Sequence, residues 1–328
     1  MPQNPRWLAA LLMVSLSGFL WADDQKKKDD PSQIGNRDVG KGINIYSMEK
    51  EMALGKQLAQ EVTRQAKVQD DPQISEYVNR ICQNLARASD AIVPITCQVI
   101  EGEAPNAFAL PGGFIFIYTG LIKIADEEDE TAAAIAHEIA HVAARHMTKQ
   151  ATKSAIVNAA SIPAVILMGG GPAAVLARQG AGLGVPAVFL HFTRKDETEA
   201  DYLGLQYMYA AGYDPNGAIS IFEKLQSLQR KKPGTISQIF STHPMDADRI
   251  QKTEKEIGKI LPDKPEYVVN TSDYTEMREL LLRLEGRRKG EDKDGRPQLR
   301  VRPGEDPKTG DDADKDGRPT IRRRDLIE

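Results

Sequence analysis

The sequence predicts a mainly helical α+β fold in which a small antiparallel sheet lies beside one central helix. Three stretches carry that expectation. Residues 129–146 are rich in alanine, begin on acids, end on bases and contain neither Gly nor Pro, the composition of a stable helix whose end charges suit its dipole. Residues 106–118 form two apolar runs about Gly112-Gly113, as a hairpin does. Around them lie amphipathic segments with apolar residues at helical spacing.

The elements follow in order. Ser47 is placed to cap a helix carrying Glu49 and Glu51 in its first turn. Asp71-Pro72 opens a second helix, with Ile74, Tyr77, Val78, Ile81 and Leu85 along one face. Ile95, Cys97 and Val99 alternate as a strand before the hairpin and the central helix. Residues 155–190 are largely apolar but carry Pro163 and Gly169-Gly170-Gly171-Pro172, which break helices. They read as a mobile segment over a cleft or as two short buried helices, able to touch a membrane surface rather than span it. Tyr202 to Ala210 is a helix stopped at Gly212–Pro215, Ala218 to Leu228 another, Tyr267–Val269 a late strand and Tyr274 to Leu284 a last helix.

The chain divides into a signal peptide (1–22), a polar linker (23–42), a folded domain (43–285) and a charged tail (286–328). Arg6 followed by the uncharged run Trp7–Leu20 suits export to a periplasm or secretion, with an uncleaved N-terminal anchor as the alternative. The tail has no aromatic residue and reads as disordered. It repeats Asp292–Pro297 as Asp314–Pro319, with no assignable partner. Asp312, Asp314, Asp316 and Gly317 begin like a calcium loop, but Arg323 stands where the closing Glu belongs. With 41% apolar and 27% charged residues and a net charge of −4, the chain is ordinary for a globular protein. It has no basic stripe, which excludes nucleic acid as a partner. Cys82 and Cys97 suit either a disulfide or two buried thiols.

The chemistry sits in His137-Glu138-Ile139-Ala140-His141. Residues i and i+4 of a helix share a face, so both imidazoles can bind one Zn²⁺, and Glu138 beside them can serve as general base on a water at the open zinc position. A catalytic zinc needs a third ligand. Glu197 is the candidate, with Glu199 its rival. Asp201, one turn after Glu197, is placed to brace a ligand imidazole. His146, five residues past His141, is expected to face away from the metal, and His191 is read as structural.

Four segments together resemble the M48 family of zinc metallopeptidases, in its soluble periplasmic type without a TPR array. They are Asn106–Leu121, the helix with His137, Glu138 and His141, Glu197–Asp201 as the E-x-x-A-D segment, and Ser241-Thr242-His243-Pro244 with Arg249. The match runs from about 43 to 285, with Phe192-Thr193-Arg194 where the family often has Tyr-Ser-Arg. The resemblance implies a zincin-type fold, one zinc per chain held by His137, His141 and Glu197, and polypeptide substrates lying along an edge strand at Asn106, Ala107 and Phe108. It implies a site role for His243, either donating to the oxyanion or occupying the open zinc position at rest, and for Arg249 a pairing with a carboxylate.

Three readings follow. The first is an endopeptidase acting on misfolded or misassembled envelope proteins, a substrate class implied by the resemblance alone. The second is a latent or inactive metallopeptidase serving as a chaperone-like binding protein. The third is a structural zinc protein with four closed ligands.

Overall fold

A computed structural model describes residues 30–167, 190–231, 243, 247–262 and 264–291. The expected signal peptide, the glycine-rich part of 155–190 and the tail repeat lie outside the described residues.

Helix α1 (Met48–Gln65) starts at Ser47, whose hydroxyl accepts from the Lys50 amide, and α2 (Pro72–Arg87) starts at Asp71, whose carboxylate accepts from Gln73 and Ile74. Both caps satisfy amides that a helix leaves unbonded. The apolar face of α2 is buried along Ile74, Val78, Ile81 and Leu85. A disulfide joins Cys82 of α2 to Cys97 of strand β1 (Thr96–Ile100). Strands β2 (Ala107–Leu110) and β3 (Phe114–Tyr118) form the expected antiparallel hairpin, closed by left-handed Gly112 and Gly113. A side chain at Gly113 would strike the carbonyl of Pro94, so the turn needs glycine for space as well as conformation.

The sheet is mixed rather than wholly antiparallel. Its order is β1-β3-β2, with β1 parallel to β3. The chain leaves β1, crosses to the far edge of the sheet for β2 and returns through the middle, so β1 and β3 run the same way. The outer edge of β1 is bonded by residues 67–69 through Gln69 N–H to Val99 O and Glu101 N–H to Lys67 O. No strand among the described residues pairs with the outer edge of β2.

A short helix α3 (Thr119–Ile124), absent from the sequence reading, leads into α4 (Glu128–Ala143). Only Ala134 of α4 escapes full burial. Its acidic first turn is anchored by Glu128, which accepts from Tyr77, Thr271 and Tyr213 hydroxyls at 2.7, 2.6 and 3.1 Å. Helix α5 (His146–Leu167) continues through Pro163, where the sequence suggested a break. One missing N–H was not enough to end an otherwise apolar, alanine-containing helix. Ile156 and Val157 on it are exposed. No helix among the described residues is long and apolar enough to cross a membrane.

Helix α6 (Arg194–Ala211) carries a capping box at Thr193 and Asp196 and ends on left-handed Gly212. It packs on α4 through Gly204, where an added Cβ would sit 3.3 Å from the His137 amide nitrogen. Helices α7 (Asn216–Lys231), α8 (Ala247–Ile260) and α9 (Ser272–Glu291) complete the described residues. Helix α8 has no counterpart in the sequence reading, and α9 runs past the expected boundary at 285. Tyr267–Val269 is not a strand but a single bridge between Val268 and Tyr213. By compactness residues 284–328 form a second unit, of which only the end of α9 is described.

The described part of the expected linker is built into the domain. Val39 is buried, and Arg37 is held inside by Asp90 at 2.9 Å and by Gln206 at 2.6 Å. A charged segment looks solvated in sequence, and its buried partners lie far along the chain.

Candidate metal centre

Helices α4 and α6 bring together what the sequence spaced for one ion. His137 and His141 project from one face of α4, their Nε2 atoms 3.0 Å apart. From α6, Glu197 Oε2 lies 3.5 Å from His137 Nε2 and Oε1 lies 3.4 Å from His141 Nε2. His243 Nδ1 is 3.3 Å from His137 Nε2 and 3.0 Å from Glu197 Oε1. All four residues are buried, and their ligand atoms lie within 4.8 Å of one another. A tetrahedral zinc with bonds of about 2.0–2.1 Å needs ligand atoms about 3.3 Å apart along each edge. The observed separations bracket that edge, and two imidazoles, a carboxylate and a third imidazole are a zinc donor set. No other group of this kind occurs among the described residues.

His137, Glu197 and His141 each have a support. Asp201 Oδ1 lies 2.9 Å from His137 Nδ1, on the side away from the cluster. Arg249 of α8 binds Asp201 through Nε at 2.8 Å and a second nitrogen at 2.6 Å, and its third nitrogen lies 2.9 Å from Glu197 Oε2. One guanidinium thus fixes both carboxylates. Phe192 stacks on His141 at 3.9 Å between centroids, and Thr193 next to it caps α6. Phe-Thr therefore supplies an aromatic face and a hydroxyl cap at the position where the chain departs from the family's pattern.

The electrostatics follow from burial and charge together. Burial alone would lower the pKa of His137, but Asp201 and Glu197 outweigh it and push it up to about 10. His141, equally buried but between His137 and His146, is held well below the usual range. Burial would raise Glu197, yet His243, His137 and His141 draw it well down. Asp201 is lowered against its burial, by Arg249 first. Glu197 and Asp201 stay ionised because the His137 proton and the Arg249 guanidinium are their countercharges, and a divalent cation bound at His137 Nε2 would take the place of that proton.

Glu138 is buried beside the cluster, with Oε1 3.3 Å from His243 Nε2 and Oε2 without a partner among the described residues. The chemistry-bearing residues therefore meet: His137, Glu138, His141, Glu197, Asp201, His243 and Arg249. Glu199 does not join them; its Oε2 lies 3.4 Å from His146 Nε2. His146 does not face away as expected. Its Nδ1 lies 2.9 Å from His141 Nδ1. Helix α4 ends at Ala143 and Arg145 is left-handed at φ 57°, so the chain turns back before His146. Helical periodicity held no sign of that turn.

The edge strand borders the same cleft. Tyr118 N–H donates to Asn106 O at 2.9 Å. Antiparallel alternation then turns the backbone of Phe108 towards β3 and that of Ala107 and Ala109 towards the open edge. Of the expected substrate-binding trio, Phe108 instead stacks on Phe116 at 5.2 Å. Beside the strand, Ala107, Leu121, Ala134, Ile221, Phe222 and Leu225 line an apolar pocket of about 50 Å³ that opens onto His137 and Glu138.

Residues 69–257 match the description Peptidase family M48. The chain belongs to this family. It is 27% identical over 277 residues to the beta-barrel assembly-enhancing protease of Yersinia pestis, covering 81% of this chain and 56% of that one. Against the protein of that name from Escherichia coli the identity is 26% over 225 residues, 67% of this chain and 46% of that one. Against the mitochondrial metalloendopeptidase OMA1 of Schizosaccharomyces pombe it is 34% over 180 residues, 55% and 52% of the two chains. The chain spans about half the length of the curated relatives it matches. The M48 match contains all four donors and the supporting Arg249.

Proposed function

We propose that the protein is a zinc-dependent endopeptidase of the cell envelope that cuts misfolded or misassembled polypeptides. One observation carries the reading: two imidazoles, a carboxylate and a third imidazole, all buried, bring their ligand atoms within 4.8 Å of one another, with a carboxylate oxygen of Glu138 beside them that has no partner among the described residues. His137, His141 and Glu197 would hold the ion. When bound, zinc supplies a Lewis acid that acidifies water and polarises a carbonyl. Glu138 takes the proton from the attacking water and delivers it to the leaving amine. The outward backbone groups of Ala107 and Ala109 receive the substrate as an added strand, which reads main chain rather than sequence. The pocket beside them takes an apolar side chain next to the scissile bond. Unfolded proteins offer both an extended backbone and exposed apolar residues, which folded ones withhold.

The position of His243 favours a second, compatible reading: a latent enzyme. Its Nδ1, 3.3 Å from His137 Nε2 and 3.0 Å from Glu197 Oε1, would take the position a water needs, and substrate or a partner would then have to displace it before hydrolysis. A periplasmic location accords with the Cys82–Cys97 disulfide and with the apolar N-terminal run. The names of two relatives, beta-barrel assembly-enhancing protease, suggest β-barrel proteins among the substrates.

The test is zinc content together with cleavage of an unfolded protein such as casein, for the wild type and for Glu138→Gln. We expect one zinc in each and cleavage by the wild type alone, with loss of about a hundredfold or more in the variant. Equal cleavage by both would remove Glu138 from the mechanism, and a wild type without zinc would remove the enzyme reading altogether.

A further inference from the structure

We propose that His146 is a positioning residue for the metal ligand His141, and that Glu199 completes the same hydrogen-bonded row. The inference rests on the metallopeptidase reading above. His141 presents Nε2 to the cluster, 3.0 Å from His137 Nε2 and 3.4 Å from Glu197 Oε1. A neutral imidazole can bind metal through Nε2 only with its proton on Nδ1. The group facing that proton is His146 Nδ1 at 2.9 Å. His146 must then accept there and carry its own proton on Nε2, which faces Glu199 Oε2 at 3.4 Å. The row has one consistent polarity, from the ligand to a carboxylate at the domain surface. Reversing it would place the His141 proton against the other ligands.

The row is a built feature. A continuous helix would carry residue 146 about 140° around the axis from residue 141. Instead α4 stops at Ala143, and Arg145 takes a left-handed conformation that is unfavourable for a residue other than glycine. Arg145 is held there by Glu51 Oε2 at 2.8 Å and by the Tyr46 carbonyl at 2.7 Å, and Glu51 also accepts from Thr148 at 2.9 Å. His141 and His146 are both almost wholly buried. The two ligand imidazoles are thus braced differently, His137 by a carboxylate and His141 by a second imidazole. A brace of this kind fixes ring orientation and tautomer before the metal arrives.

The experiment compares His146→Leu, which keeps bulk but accepts nothing, with His146→Asn, whose Oδ1 stands near the position of Nδ1. Zinc affinity is read by competition with a chromophoric chelator, and ligand geometry by the visible spectrum of the cobalt form, both on the full chain. We expect His146→Leu to bind zinc about 10–100-fold more weakly with a shifted cobalt band, and His146→Asn to recover most of the loss. Glu199→Ala, at a half-exposed site that does not endanger folding, should weaken zinc a few-fold, with recovery in Glu199→Gln. Wild-type affinity in His146→Leu would overturn the proposal, as would equal losses in His146→Leu and His146→Asn. If His146→Leu does not fold, an unchanged Glu199→Ala overturns it instead. A wild type that binds no zinc would overturn the enzyme reading itself, which keeps the two failures apart.

Discussion

His137, His141 and Glu197 stand on two helices packed backbone to backbone at Gly204, whereas His243 stands on neither a helix nor a strand. The first three are over-determined. Helix period sets two of them, a capping box and an arginine set the third, and each ligand ring meets a brace on its far side. Among the described residues, His243 meets the donors it faces, Glu138 and the ring of Phe192. On the proposal above, the ligand carried by neither a helix nor a strand is the one that leaves when something better fills its position. On our proposal the difference separates a permanent three-ligand frame from an exchangeable fourth position, the division a catalytic zinc requires.

The largest expected effect comes from breaking the frame. Glu197→Ala should weaken zinc binding by about a hundredfold or more, since each of a few ligands shares a binding free energy of about 10–16 kcal/mol. Equilibrium dialysis checks it; a loss below tenfold would mean that Glu197 is not a corner.

Next comes the scaffold beneath the frame. The Cys82–Cys97 bridge closes a span of 15 residues between α2 and β1. Replacing both by alanine should cost about 3 kcal/mol in denaturant unfolding. Zinc affinity should be unchanged, because no donor touches the bridge. A parallel loss of zinc would show that frame and scaffold are one unit.

The smallest effect concerns the foot of α4. Burial, then Glu127, Glu130 and Asp214, push Asp129 up from 3.8 to about 7. The folded chain therefore holds a proton that the unfolded chain releases between about pH 4 and 7. Stability contributed by that proton is present at acid pH and falls as pH rises through the window. Asp129→Asn should remove the slope, gaining about 1–2 kcal/mol at pH 8 and nothing at pH 4. Thermal melts at the two pH values decide it, and equal shifts at both would contradict the assignment.

How much of this was legible depended on the range of the forces involved. The pairing of His137 with His141 and of Glu197 with Asp201 follows from helical period, and the Ser47 and Asp71 caps from residue type before a helical run; the choice of Glu197 over Glu199 came with the family's pattern. His146 could not be placed, because the turn that redirects it depends on Glu51, 94 residues earlier in the chain. The parallel pairing of β1 with β3 and the burial of Arg37 by Asp90 likewise depend on distant partners. Helix α3 was too short to show a period. Helix α8 delivers Arg249 to two carboxylates some 48 residues away, and the sequence could name that arginine only through the family's pattern.

The most direct test of the exchangeable corner is His243→Ala, measured for zinc content and for casein cleavage beside the wild type. A three-ligand frame with a displaceable fourth group predicts that zinc stays at one per chain and that cleavage rises by about tenfold or more. Loss of zinc would make His243 a permanent ligand, and retained zinc with abolished cleavage would make it part of the catalytic machinery; either result would contradict the account.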